Sequence, residues 1–111
     1  MVVPLNPTVG VEMEYPGACT PLAAVTQNAD TWDSATGAKY VTLTADSVRV
    51  DVSISLSAYL VFSDLTSAPA QNGTLFPAGR YEFKVRGPVY LHVKNGAAGQ
   101  NVVTGCNCWT R

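Results

Sequence analysis

The chain has 111 residues, of which 47% are apolar and only 14% charged, with a formal net charge of −1. That length fits one domain burying about two thirds of its unfolded surface and excludes two independent cores. The charge excludes bulk electrostatic binding to nucleic acid, which needs Lys and Arg clustered on phosphates, and the low charged fraction leads us to expect a partner over part of the apolar surface.

In chain order, residues 1–8 hold Pro4 and Pro7, which rule out a helix or central strand, and read as an extended apolar arm carrying Val2, Val3 and Leu5. Val9 to Glu14 alternates and is expected to form an edge strand stopped by Pro16-Gly17. Thr20 to Thr26 reads as a short strand, and Gln27 to Gly37, rich in Asn, Asp, Ser, Thr and Gly, as a long loop carrying Trp32. Lys39 to Ala45 alternates again, and Asp46 makes a tight connection onward.

Ser47 to Ser57 is the clearest element. Val48, Val50, Val52, Ile54 and Leu56 alternate with polar residues, so a period of two predicts one aliphatic face and one face of Ser47, Arg49, Asp51, Ser53, Ser55 and Ser57. A face so rich in hydroxyls can lie against a neighbour with little desolvation cost. Tyr59 to Phe62 either continues this strand past a bend or forms a new strand buried on both faces. Asp64 to Gly79 reads as a loop with a turn at Pro77-Ala78-Gly79, and Asn72-Gly73-Thr74, which matches a glycosylation sequon, as a turn within it.

Arg80 to Arg86 sends Tyr81, Phe83 and Val85 inward and Arg80, Glu82, Lys84 and Arg86 outward; after Gly87-Pro88, Val89 to Lys94 places Val89, Leu91 and Val93 on one face. Asn95 to Gly99 is a turn, Gln100 to Thr104 a last short strand, and Gly105 to Arg111 a C-terminal tail. About seven or eight strands without helical periodicity give an all-β domain over residues 1–111: a jelly-roll-like antiparallel β-sandwich with extended N- and C-terminal arms, a small barrel being the alternative.

Acids gather early and bases late. Residues 1–79 hold Lys39 and Arg49 against seven acids (−5), and residues 80–111 hold five bases against Glu82 (+4). No stretch approaches the roughly 18 apolar residues of a membrane helix, and the start lacks the basic and apolar regions of a secretory signal, so a soluble, non-exported chain without membrane contact is expected. The three cysteines, Cys19, Cys106 and Cys108, then fit reduced thiols better than a disulfide framework.

No catalytic constellation is expected. His92 is the one histidine, it sits on the polar face of its strand, and no nucleophile setting accompanies it. Cys106 and Cys108 with Cys19 and His92 are ligand types that zinc accepts, but a single-residue spacing is poor for a structural site, and we expect neither metal nor cofactor. Glu12 and Glu14 resemble a glycosidase pair only in spacing; two solvent-facing acids on an edge strand are the commoner case. Arg80, Lys84 and Arg86 form a basic strip that Glu82 interrupts, against nucleic-acid binding. Trp109 is the better interaction candidate, a large ring either folded back on its own sandwich or docked on a neighbour.

The run Lys39-Tyr-Val-Thr-Leu-Thr-Ala, the Val/Ser strand, Leu75-Phe-Pro-Ala-Gly-Arg-Tyr-Glu-Phe and Val89-Tyr-Leu-His-Val-Lys-Asn-Gly-Ala-Ala-Gly-Gln-Asn-Val-Val-Thr together resemble small structural proteins of tailed bacteriophages. Over residues 39–104 the arrangement is similar to the capsid decoration proteins of short-tailed phages, also called cement or staple proteins; the Pro-rich arm and the Cys-Asn-Cys-Trp tail depart from that pattern. The resemblance implies a non-enzymatic virion protein, made in the host cytoplasm, that binds the outer capsid surface and staples neighbouring copies of the major capsid protein, working as a homo-oligomer, a dimer in preference to a trimer. Val2, Val3, Leu5, Trp109 and Arg111 are the expected contacts, with Arg80, Lys84, Arg86, Ser53 and Ser55 secondary. Other readings are a head–tail joining or fibre-base module and, from another class, a small carbohydrate-binding sandwich using Trp32 and Tyr40 as its platform.

Overall fold

A computed structural model describes residues 19–35, 40–43, 47–86 and 88–110. The expected arm with Val2, Val3 and Leu5, the Val9 to Glu14 strand with its two glutamates, the Asp46 connection and Arg111 lie outside the described residues.

Among the described residues, eight strands make two four-stranded antiparallel sheets: β1 (Cys19–Thr26), β2 (Val41–Leu43), β3 (Ser47–Ile54), β4 (Ala58–Ser63), β5 (Leu75–Phe76), β6 (Gly79–Lys84), β7 (Val89–Asn95) and β8 (Val103–Thr110). The first sheet has the order β1-β8-β3-β6 and the second β2-β7-β4-β5. The pairs nest, with β1 on β8, β2 on β7, β3 on β6 and β4 on β5, so the chain follows one long hairpin rolled until β3 meets β8 and β4 meets β7. The result is an all-β sandwich.

The alternation read from Ser47 onward becomes its inner wall. Val50, Val52 and Ile54 are buried beside Cys106 and Cys108 of β8 and face Ala58 and Leu60 of β4, Leu91 and Val93 of β7, and Val41 and Leu43 of β2. Burying each such aliphatic side chain contributes about 1.5–3 kcal/mol. At the β6 side an aromatic seam joins the sheets: Phe62 meets Phe83 at 4.8 Å between ring centroids and Phe76 meets Tyr81 at 5.1 Å, both edge-on. Tyr81, Phe83 and Val85 thus turn inward, while Arg80, Glu82, Lys84 and Arg86 are exposed.

Several expectations are corrected. The long strand ends at Ile54, and Leu56, expected in the core, is exposed. Tyr59 to Phe62 belongs to a new strand in the opposite sheet, and its outer residues Tyr59 and Val61 are half-buried. The loop before Gly79 contains β5, which pairs Leu75 and Phe76 with Tyr59 and Ala58. The largest correction concerns the C-terminus: residues 105–110 are no arm but most of β8, which sits inside the first sheet between β1 and β3. Thr104, Cys106 and Cys108 are buried on one side while Gly105, Asn107 and Trp109 take the other. Small cysteines here act as core hydrophobes, completing a period-two pattern.

Ser47 also departs from its expected face. A register shift between Ser47 and Arg49 inserts Val48 as an extra residue against β8, and a bulge of this kind reverses the parity of the side chains before it. Ser47 is therefore buried, its hydroxyl 2.8 Å from the Cys108 thiol.

Candidate functional site

The two sheets have different outer surfaces. On the first, β8 supplies Trp109, whose register partners are Cys19 of β1 and Arg49 of β3. The Arg49 guanidinium lies over the indole, 4.5 Å from the ring centroid. The same guanidinium makes a two-point contact with Asp51, Nε to Oδ1 at 2.9 Å and Nη2 to Oδ2 at 3.1 Å, and Nη2 donates to Glu82 Oε2 at 3.0 Å. Lys84 stands opposite Arg49 and Arg80 opposite Ser53 on β6, so Arg80, Glu82 and Lys84 line one side of the cluster.

Strand alternation dictates this grouping. Arg49, Asp51 and Ser53 share a face because they are two apart, and antiparallel pairing brings Lys84, Glu82 and Arg80 beside them in order. Arg49 is the pivot: its planar fork satisfies Asp51 while its π-face covers Trp109. The Arg49–Asp51 contact is largely shielded, with side chains 16% and 10% exposed, whereas Glu82 is 68% exposed and its bridge adds little. Asp51 was expected on the solvated face; it is on the outer side of the sheet but buried beneath Arg49.

The contacts expected from sequence divide accordingly. Trp109, Ser53, Arg80 and Lys84 come together on this face, and Arg86 is exposed just beyond β6. Ser55 is exposed, but its hydroxyl accepts the Val103 N–H at 2.8 Å and serves to tie the end of β3 to β8. Ser57 is half-buried, and its carbonyl accepts the Gly96 N–H. Val2, Val3, Leu5 and Arg111 lie outside the described residues. Sequence reasoning missed Arg49, Asp51 and Glu82 as the frame around Trp109; the i, i+2 spacing of Arg49 and Asp51 was visible, but their meeting with the indole depends on the β3–β8 register.

No family model, curated protein or solved structure matches this chain. Function has to be argued from its own residues.

The outer side of the second sheet is covered. His92, on the outward side of β7, is fully buried: Nδ1 lies 2.8 Å from Asp33 Oδ2 and Nε2 lies 2.9 Å from the Leu65 carbonyl oxygen. Both edges of the ring are thus engaged, one by a side-chain carboxylate and the other by a backbone carbonyl. A backbone carbonyl occupies the nitrogen that a His-Asp couple would offer to a nucleophile. The arrangement acts as a clamp holding residues 27–35 and the 64–74 strap against β7. Asp33 adds its N–H to the Val93 carbonyl at 3.0 Å, and Tyr40 packs its ring 5.4 Å from His92 and 5.3 Å from Tyr90. The Tyr40 ring, expected in a glycan platform, is thus engaged in closing this side, and Trp32 is half-buried.

The four residues weighed as a metal set are dispersed. Cys106 and Cys108 are buried in the core, Cys19 is exposed on an outer strand, and His92 belongs to the clamp on the other sheet. Burial, and secondly its neighbour Cys108, pushes the Cys106 thiol up to about 12, so at neutral pH it is a protonated core group rather than a nucleophile.

Proposed function

We propose that this chain is a capsid decoration protein whose outer β1-β8-β3-β6 face docks on the outer surface of an icosahedral shell and bridges neighbouring copies of the major capsid protein. The observation that carries the reading is the Trp109–Arg49 stack, which joins the two central strands of the sheet at the end where β1 begins and β6 finishes, with Lys84, Glu82 and Arg80 following along the edge strand. Trp and Arg are the side chains that most often dominate binding energy, above all when ringed by polar contacts that exclude water.

Two further points support it. The nested strand order is compatible with a jelly-roll arrangement, an architecture recurrent in viral capsid and lectin domains. The resemblance of residues 39–104 to decoration proteins of short-tailed phages selects the first of these, and the engagement of Tyr40 in the clamp weakens the glycan-platform alternative. The mechanism is burial without chemistry: a patch of about 1,600 Å² per contact, repeated over the lattice, stabilises the assembled shell by mass action. In this account the apolar residues Val2, Val3 and Leu5 and the terminal Arg111 reach additional subunits, and a homodimer presents two docking faces at once.

The test uses expanded empty shells assembled from the major capsid protein of a short-tailed phage. Co-sedimentation of the purified chain, with shells made more resistant to heat, is the expected result. Failure to bind the shells, with retention on a glycan array instead, overturns the reading in favour of a carbohydrate-binding module.

A further inference from the structure

The dipeptide Asn-Gly occurs twice, at Asn72-Gly73 and Asn95-Gly96, and the fold treats the two copies in opposite ways. In such a pair the glycine amide nitrogen can attack the preceding side-chain amide carbon, because no Cβ obstructs the approach. We propose that Asn72-Gly73 is a self-modifying site, converting spontaneously to aspartyl and isoaspartyl products with Lys94 promoting the step, while Asn95-Gly96 is held inert.

The geometry at Asn72 favours reaction. The residue is exposed in the 64–74 strap, and the Gly73 N–H makes no hydrogen bond among the described residues. Gly73 has φ +69, and a Cβ built there would come no nearer than 3.9 Å to Val61, so the backbone has room to adjust. Lys94 Nζ donates to Asn72 Oδ1 at 2.9 Å. That bond draws electron density from the amide carbon and places a positive charge where negative charge develops.

The step balances with water alone. The Gly73 nitrogen loses its proton to solvent and bonds to the Asn72 side-chain carbon. The tetrahedral oxygen is held as an anion by Lys94, and the C–N bond to Nδ2 then breaks, releasing ammonia once that nitrogen takes a proton from solvent. Water opens the cyclic imide at one carbonyl or the other, leaving an α- or β-linked aspartyl carboxylate. The new negative charge arises beside the Lys94 ammonium, which stabilises the product as an ion pair.

At Asn95 every participant is occupied. The side chain is 2% exposed; Nδ2 donates to the Ala29 carbonyl at 2.9 Å and the Gln100 carbonyl at 2.6 Å, and Oδ1 accepts the Val102 N–H. The would-be nucleophile, the Gly96 N–H, is donated to the Ser57 carbonyl at 2.9 Å. Reaction there requires those bonds to open first, a local unfolding step that holds its rate about two orders of magnitude below that of Asn72.

The experiment is peptide mapping by mass spectrometry of the full chain incubated in mildly alkaline buffer, native and in urea. Under native conditions Asn72 accumulates acid and isoaspartyl forms and Asn95 stays an amide; in urea the two convert at similar rates. Lys94→Ala slows native conversion at Asn72 severalfold and leaves the rates in urea unchanged. Comparable native rates at the two sites, or a rate difference that persists in urea, overturns the structural account. An unchanged or faster native rate in Lys94→Ala removes Lys94 from it.

Discussion

On the outer side of β7, Tyr90, His92 and Lys94 lie against Tyr40, Asp33 and the 64–74 strap; on the outer side of β8, Trp109 lies under the Arg49 guanidinium of the neighbouring strand. Both strands alternate with the same period and both bury their inner residues in one core. The difference arises from what the loops carry. The segments 27–35 and 64–74 bring a carboxylate and a carbonyl that a buried imidazole can join, so one outer face is consumed in stability. On the other face Arg49 joins Asp51, Glu82 and the Trp109 ring across three strands of one sheet. In the proposed function, one polar surface of the sandwich holds the fold and the other meets a partner.

The comparison is broken most strongly at the clamp. His92→Ala leaves the Asp33 carboxylate, whose Oδ1 has no hydrogen-bond partner among the described residues, without its ring partner, and is expected to cost about 3–5 kcal/mol in urea unfolding, the loss typical of breaking a buried pair. Next comes Gly96→Ala. A Cβ there would lie 2.6 Å from the Ser57 carbonyl oxygen and 2.8 Å from Leu75 Cδ1, and overpacking of this kind costs about 1–3 kcal/mol in the same measurement.

On the first sheet, Arg49→Ala uncovers Asp51 and is expected to lower stability by about 1–2 kcal/mol, with weaker shell binding as its larger effect. The smallest change is Glu82→Gln, whose exposed bridge should change the unfolding free energy measured in urea by no more than about 0.5 kcal/mol.

The core gives a separate, pH-dependent check. Because burial raises the Cys106 thiol from 9.0 to about 12, its neutral form contributes stability that is complete below pH 9.0 and is lost as pH rises through the folded value. The stability gap between the native chain and Cys106→Ala should therefore narrow between pH 9.0 and about 12, and a gap that widens contradicts the assignment of Cys106 to the protonated core.

How far the fold was legible follows from the same contrast. Alternation exposes any strand whose inner residues are aliphatic, so β3, β6 and β7 could be read directly. β8 escaped because cysteines stand where valines would, and Gly105 looks like a break; its place inside the sheet comes from pairing with β1 and β3, which no local pattern encodes. Ser47 was assigned to the wrong face because a bulge changes parity without a sequence mark. His92 was read correctly onto the outward side of its strand, but its burial depends on Asp33 and Leu65, distant in the chain. Trp109 stood out as an interaction residue, while Arg49, which holds it, became visible only through register.

The most direct measurement compares shell binding by Trp109→Ala on the β1-β8-β3-β6 face with binding by Leu65→Ser over the second sheet, where Leu65 is 61% exposed and its backbone carbonyl can still meet His92. Both variants are first checked for native urea midpoints. The account predicts that Trp109→Ala weakens binding about 30-fold, the loss of an interface hot spot of at least about 2 kcal/mol, while Leu65→Ser binds as the native chain does. Undiminished binding by Trp109→Ala together with a loss in Leu65→Ser would contradict it and move the docking surface to the other sheet.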